Sequence, residues 1–258
     1  MTWHTPFGPA ARKRGASYAS VLFAALCLAT PVHAQSGGDG FLFKQPSGTV
    51  TFRVGFHRAT AGSDLFTFTT DQLTIDRGDF SAPTIGGDVS IRLSSRADVM
   101  ISVAHSQSQT RSEFRRFVDR DRLPIEQTTT FQRVPLTGSI KAYVIQPGRS
   151  IGHFAWVPAR VSPYVGAGGG LLWYRFAQEG DFIDFNTFRV FPDSFESSGW
   201  TPTVHGFAGV DISLHPRFAL TTEARYEWGK ATLSSDFAGF DRLDLSGFTL
   251  TTGISVRY

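Results

Sequence analysis

Strict two-residue alternation constrains this chain more than any other feature. Val50, Phe52, Val54 and Phe56 alternate with Thr51, Arg53, Gly55 and His57. The same pattern returns over residues 85–93, 99–104, 134–144, 204–214, 218–228 and 248–258. Successive side chains of a strand point to opposite faces, so a period of two reads as strand. A glycine-rich segment from Pro163 to Tyr174 makes an eighth strand; both its phases are apolar or small, which leaves its orientation open. In the other seven, the apolar phase carries no Asp, Glu, Lys or Arg. The opposite phase carries Arg53, Asp88, Arg92, Lys141, Asp211, Glu223, Arg225, Glu227 and Arg257.

Two architectures produce such strands. One is a soluble sandwich or lipocalin-like barrel with its apolar face inside, and the other is a membrane barrel with that face on lipid. Connection lengths separate them. Long connections are expected at Arg58 to Thr84, Ser106 to Thr128, Ala177 to Gly199 and Gly229 to Asp244. They alternate with shorter ones at Ser94 to Asp98, Gln146 to Arg160 and His215 to Arg217. Long loops on one side and short turns on the other are the outer-membrane pattern. Strands of about ten residues suit a tilted crossing, and an even number closes the sheet so that no edge meets lipid. The expected fold is therefore all-β: an eight-stranded antiparallel up-and-down transmembrane β-barrel with long extracellular loops. Ser63 to Leu73 is expected to form a short helix over its mouth. Aromatic residues near strand ends, among them Tyr164, Trp173, Tyr226 and Trp228, suit interfacial girdles.

The first 34 residues read as a secretory signal peptide, with residues 35–258 as the barrel domain. Arg12, Lys13 and Arg14 precede an apolar core at Val21 to Ala29, and Val32-His33-Ala34 is a small-residue cleavage pattern. The sole cysteine, Cys27, lies in this leader, so the mature chain is expected to hold no disulfide and no Cys-ligated metal. Without the leader, 22 basic residues face 22 acidic ones and the formal net charge is zero, which removes support for nucleic-acid binding.

The last strand carries the most specific motif, Thr251-x-Gly253-x-x-Val256-x-Tyr258. It resembles the terminal signal read by the barrel-assembly machinery. Together with the leader and the strand Pro163-Tyr164-Val165-Gly166-Ala167-Gly168, it makes the chain similar to the small outer-membrane barrels of the OmpA, OmpX and OmpW type. That resemblance implies residence in the cell outer membrane as a monomer. It implies outer-membrane lipid and lipopolysaccharide as partners, and the assembly machinery during insertion. It implies no cofactor and transfers no catalytic residue.

An eight-stranded barrel is narrow and normally filled by side chains. Arg53, Asp88, Arg92, Lys141, Asp211, Glu223, Arg225 and Glu227 are accordingly expected to pair into an ionic plug. The expected role is structural or interactive, with small-solute passage as its variant. An outer-membrane enzyme acting on lipid or peptide and a soluble lipocalin-like binder are the alternatives. Other motifs give less. Gly166 to Gly170 lacks the third glycine and the helix of a dinucleotide loop. Arg77-Gly78-Asp79 is a three-residue match in an expected loop. His57, His105 and His205 are too scattered for a metal site. The lipid face lacks the Ser, His and carboxylate of lipid A deacylases, and Asp181, Asp184 and Asp193 show no protease-like spacing. In the second long loop, Arg111, Arg115, Arg116, Arg120 and Arg122 are expected to pair with Glu179, Asp181, Asp184, Asp193 and Glu196 of the third, or to bind lipopolysaccharide.

Overall fold

The computed structural model describes residues 40–258 apart from 120, 153, 185, 186 and 188. The leader and Arg120 lie outside the described residues. Eleven strands run β1 Gly48–Ala59, β2 Ala82–Arg92, β3 Ala97–Val118, β4 Pro124–Tyr143, β5 Gly148–Ile151, β6 Ala155–Pro158, β7 Val161–Ile183, β8 Val190–Ser213, β9 Phe218–Ala231, β10 Leu243–Asp244 and β11 Gly247–Arg257. Eight of them form a ring in the order β1, β2, β3, β4, β7, β8, β9, β11, every neighbour antiparallel. Pairing of β1 with β11, from Thr49↔Arg257 to Ala59↔Gly247, closes the ring. Strands β5 and β6 form a separate hairpin between β4 and β7, and β10 extends the edge of β9.

The alternation reads out as expected. Phe52, Ile85, Ile101, Ile140, Val204 and Leu250 are exposed on the outside, while Arg53, Asp88, Lys141, Asp211 and Glu223 are buried inside. A charged interior within an apolar exterior is the polarity of a membrane barrel and the inverse of a lipocalin-like one. The glycine-rich strand now has a direction. Tyr164, Gly166, Gly168, Gly170, Leu172 and Tyr174 share the inward phase, with Val165 and Leu171 exposed outside. The glycines make room: a Cβ on Gly166 would run into the Phe207 ring, and one on Gly168 would meet Ser139 Oγ at 2.6 Å.

Two of the expected long loops are not loops. The ladder of β3 and β4 continues to Val118↔Pro124, and that of β7 and β8 to Ile183↔Val190. These four strands have 20 to 24 residues, against 11 to 14 in the other four. Half the wall thus rises roughly 30 Å of strand beyond the other half. Its outward face changes character on the way. On β3, Val99, Ile101 and Val103 give way to His105, Gln107, Gln109 and Arg111; on β4, Leu136 and Val134 give way to Gln132, Thr130 and Thr128. The backbone ladder persists beyond the apolar band, so the strands outlast the lipid.

The inward face of this tall half supports a core of soluble type. Helix α1, Asp64–Gln72, lies at the far mouth and buries Leu65 and Phe66. Its span agrees with the expected helix at 63–73. Phe66 meets Phe80, Phe131 and Phe176 edge to face, with centroids 4.6, 5.5 and 5.8 Å apart. Leu243, Leu245 and Phe237 complete the cluster. Buried Asp244 joins the two loops involved: its carboxylate accepts from Gly62 N at 3.1 Å and Ser246 N at 3.0 Å, and its own N donates to Ser63 Oγ at 3.2 Å. The near end has tight turns, one formed by His215–Phe218 with Pro216 in its second position and a 3.1 Å bond from Phe218 N to His215 O.

Gly166→Val should destabilise the barrel by ~1–3 kcal/mol through overpacking. Gly138→Val, on the outside where nothing lies within 4 Å of the new Cβ, should be nearly neutral. Urea unfolding of the refolded protein in detergent compares the two.

Candidate functional site

The lumen gathers every residue expected to form the ionic plug, but as separate clusters along its length. Glu223 of β9 is the centre of one. It accepts from Arg53 at 2.7 Å, from Arg225 Nε at 3.1 Å and from the Tyr164 hydroxyl at 3.1 Å. Arg53 also pairs with Asp88 across β1 and β2. Towards the near end, Asp211 accepts from Lys141 at 2.8 Å, Tyr143 at 3.0 Å and Thr221 at 2.8 Å. The Lys141 ammonium stands 3.7 Å from the centroid of the Tyr164 ring, a cation–π contact in a desolvated place. Arg92 pairs with Asp98 beside the first tight turn. Towards the far end, Arg133 donates to Glu227 at 2.8 Å and bonds His57, whose Nδ1 lies 2.9 Å from Thr249 Oγ1.

Arg133 and Asp98 were absent from the expected plug. The alternation could have supplied Arg133, because it precedes outward Val134 and shares the phase of Thr137 and Lys141. Pro135 interrupts that reading, and it interrupts the structure too: the β3–β4 ladder passes from Val103↔Leu136 directly to Ser106↔Arg133. Asp98 falls in the turn expected at Ser94 to Asp98, whereas the turn ends at Arg96 and Asp98 is fully buried inside. Arg257 finds no carboxylate among the described residues. It donates to Ser213 Oγ at 2.8 Å and Pro216 O at 3.2 Å, and lies 5.7 Å from the Trp156 ring centroid.

Trp156 closes the near end. It is buried, and it is held by reciprocal backbone bonds with Leu42 of 2.8 and 2.7 Å. The β5–β6 hairpin that carries it lies within the connection expected at Gln146 to Arg160. Between Trp156 at one mouth and the aromatic cluster at the other, the lumen leaves a void of about 50 Å³ lined by Arg53, Arg133, Glu223, Glu227 and Ser102, among others. Buried Ser102 Oγ and Arg133 Nε lack protein partners there, and a space of this size and polarity suits a few waters.

The terminal motif divides between the two faces. Thr251 and Gly253 point inward; a Cβ on Gly253 would lie 2.8 Å from the Arg53 side chain, so this glycine makes space for the charge cluster. Val256 and Tyr258 are exposed outside. Tyr258 O accepts from Ser47 N at 2.8 Å, and its ring lies against Gly48.

The remaining candidates separate. His57 and His205 are inside the lumen, but His105 is outside, 2.8 Å from Gln132. His205 Nε2 lies 2.8 Å from Ser139 Oγ, while its Nδ1 has no partner. Arg77-Gly78-Asp79 sits in an exposed 3-10 turn, where the Asp79 carboxylate folds back to accept from Asp76 N at 2.8 Å. In place of the expected pairing of the second loop with the third, these arginines meet other partners. Arg111 bonds Glu126 of the adjacent strand, Arg115 lies 3.8 Å from Asp76, and Arg175 donates to Glu196 at 2.8 Å across β7 and β8.

No protein-family model matches the sequence, and no curated protein sequence does. Several solved structures are similar in fold. The outer membrane protein OprG from Pseudomonas aeruginosa is 14% identical, with 84% of this chain and 99% of that one covered and a TM-score of 0.49. Neisserial surface protein A is 11% identical, covering 82% and 97% with a TM-score of 0.44. Ail of Yersinia pestis is 15% identical, covering 82% and 99% with a TM-score of 0.38. At this level of identity the likeness extends to the fold alone.

Breaking the central cluster should be costly. Glu223→Gln leaves Arg225 without a carboxylate and Arg53 with one, and should destabilise by ~3–5 kcal/mol. Exposed Arg111→Gln should cost ~0–1 kcal/mol. Denaturant midpoints of the two variants in one detergent make the comparison.

Proposed function

We propose that this chain is a bacterial outer-membrane barrel with a structural or interaction role, closed to bulk flow. The observation that carries this reading is the filling of the lumen: ion-paired clusters along its length, Trp156 at one mouth and a phenylalanine-rich core at the other. Passage of small solutes needs at least one of these closures to move. The outward apolar belt occupies all eight ring strands, which supports a monomer in direct contact with lipid. Trp173 and Trp200, direct partners in the β7–β8 ladder, and Trp228 beside Tyr226 mark its far edge, where amphipathic rings are favoured.

In the proposed orientation the near end, with the short turns, faces the periplasm, and the tall half-wall stands outside the cell. Its polar outward face then lies at the level of lipopolysaccharide sugars and phosphates. Tyr258, exposed at the periplasmic edge of the belt, is the proposed anchor for the assembly machinery. We favour a role without catalysis. The Ser139–His205 contact is sealed inside the lumen, and the missing partner on Nδ1 leaves its imidazole without the third group that orients a catalytic histidine.

Two measurements test this. In planar bilayers the wild-type protein should show little or no single-channel conductance; a large, stable conductance would overturn the closed reading. An epitope inserted between residues 184 and 189, at the tip joining β7 and β8, should be labelled on intact cells. Labelling only after permeabilisation would reverse the orientation.

A further inference from the structure

Charge is distributed along the barrel axis in a way that neither fold nor lumen requires. Lys44, Arg96, Arg149 and Arg160 are exposed around the near end. No ion pair involves any of the four among the described residues. The described residues of segments 40–47, 93–96, 144–160 and 214–217 include no Asp or Glu. Every described Asp and Glu lies either in the lumen, as Asp98 and Asp211 do, or at the far end, where charges of both signs mix. Charged side chains of a single sign at one end of a chain with balanced charge are a recognition feature.

Each cation also has an exposed apolar neighbour. Lys44 follows Phe43, Arg96 shares its turn with Leu93, Arg149 lies between Ile145 and Ile151, and Arg160 precedes Val161. The apolar side chains continue the lipid belt, and long cationic side chains can extend from that level to the phosphates while their stems stay in the apolar zone.

We propose that the near-end rim binds the phosphate groups of anionic phospholipids in the adjoining leaflet, with Lys44, Arg96, Arg149 and Arg160 as the contacting groups. This rests on the membrane reading above, and in the orientation given there the leaflet is the inner one of the outer membrane. Cations beside an anionic surface contribute about fivefold each at low salt.

The test uses the complete mature barrel in nanodiscs of equal phosphatidylglycerol and phosphatidylcholine. Lipid retained on extraction into detergent at low salt is counted by mass spectrometry. Retained phosphatidylglycerol should exceed phosphatidylcholine by about tenfold or more, and 0.5 M salt should erase most of the excess, since screening acts on exposed charges. Lys44→Gln, Arg96→Gln, Arg149→Gln and Arg160→Gln combined should bring the ratio near one. All four side chains are exposed, so the variant should fold, as its heat-modifiable gel mobility will show. Arg111→Gln with Arg116→Gln, at the far end, should leave the ratio unchanged. Equal retention by the wild type, or an excess that survives the fourfold substitution, would overturn the proposal. So would sedimentation with purified peptidoglycan in place of any lipid preference, which makes the cell-wall polymer the partner. A barrel that fails to enter nanodiscs refutes the membrane reading itself, whereas one that enters but retains both lipids equally refutes only the rim.

Discussion

Eight strands enclose a lumen too narrow for bulk water, so a charge pointing inward must find its partner among the other inward side chains. Glu223 shows how much hangs on this. Its carboxylate joins Arg53 of β1, Arg225 of its own strand and Tyr164 of β7. Through Arg53 the contact reaches Asp88 of β2. One layer therefore ties walls on opposite sides of the ring. Desolvation makes such a layer demanding: it holds the barrel in one register, and it is costly when a single member is lost. The glycines follow from the same crowding, since Gly166 and Gly253 lie where Phe207 and Arg53 need the space.

The two mouths are closed by different means. The far end has the tall strands, and these provide an inward apolar surface that a short helix and two loops can cover. The product is a small core of soluble kind, with edge-to-face phenylalanines and the buried Asp244 joining its loops. The near end has short turns and one small hairpin and cannot assemble a core of that size. It uses one large ring, Trp156, carried by a hairpin and set beneath Arg257. An exposed cationic rim surrounds it, so the two ends of the molecule meet their surroundings with unlike chemistry.

Most of the fold could be read in the sequence because a membrane barrel alternates on every strand, and the two faces meet solvents of opposite polarity. A wrong phase would place Arg53 or Glu223 in lipid. The loops were harder to read, for a related reason. Residues 106–118 and 124–132 are strands in water on their outer side, where polar residues on that face cost nothing and the apolar phase fades. Gln107, Gln109 and Thr130 look like loop composition, and only hydrogen bonding across the ladder makes them strand. Pro135 hid Arg133 in the same way, by breaking a pattern that the chain itself continues beyond it.

The sequence by itself determined the class of fold, the number of crossings, the face each assignable strand turns to lipid and most of the charges that must be inside. All of these follow from local periodicity and from the cost of placing a charge in an apolar medium. Tertiary structure decided which charge meets which, the direction of the glycine-rich strand and the closure of both mouths. It also decided that Arg111 and Arg175 would find partners within their own hairpins. Those outcomes depend on register and on distances between residues remote in the chain, as Arg53 and Glu223 are. Periodicity reports the face a side chain occupies, whereas its partner is set by the stagger of eight strands around a closed ring.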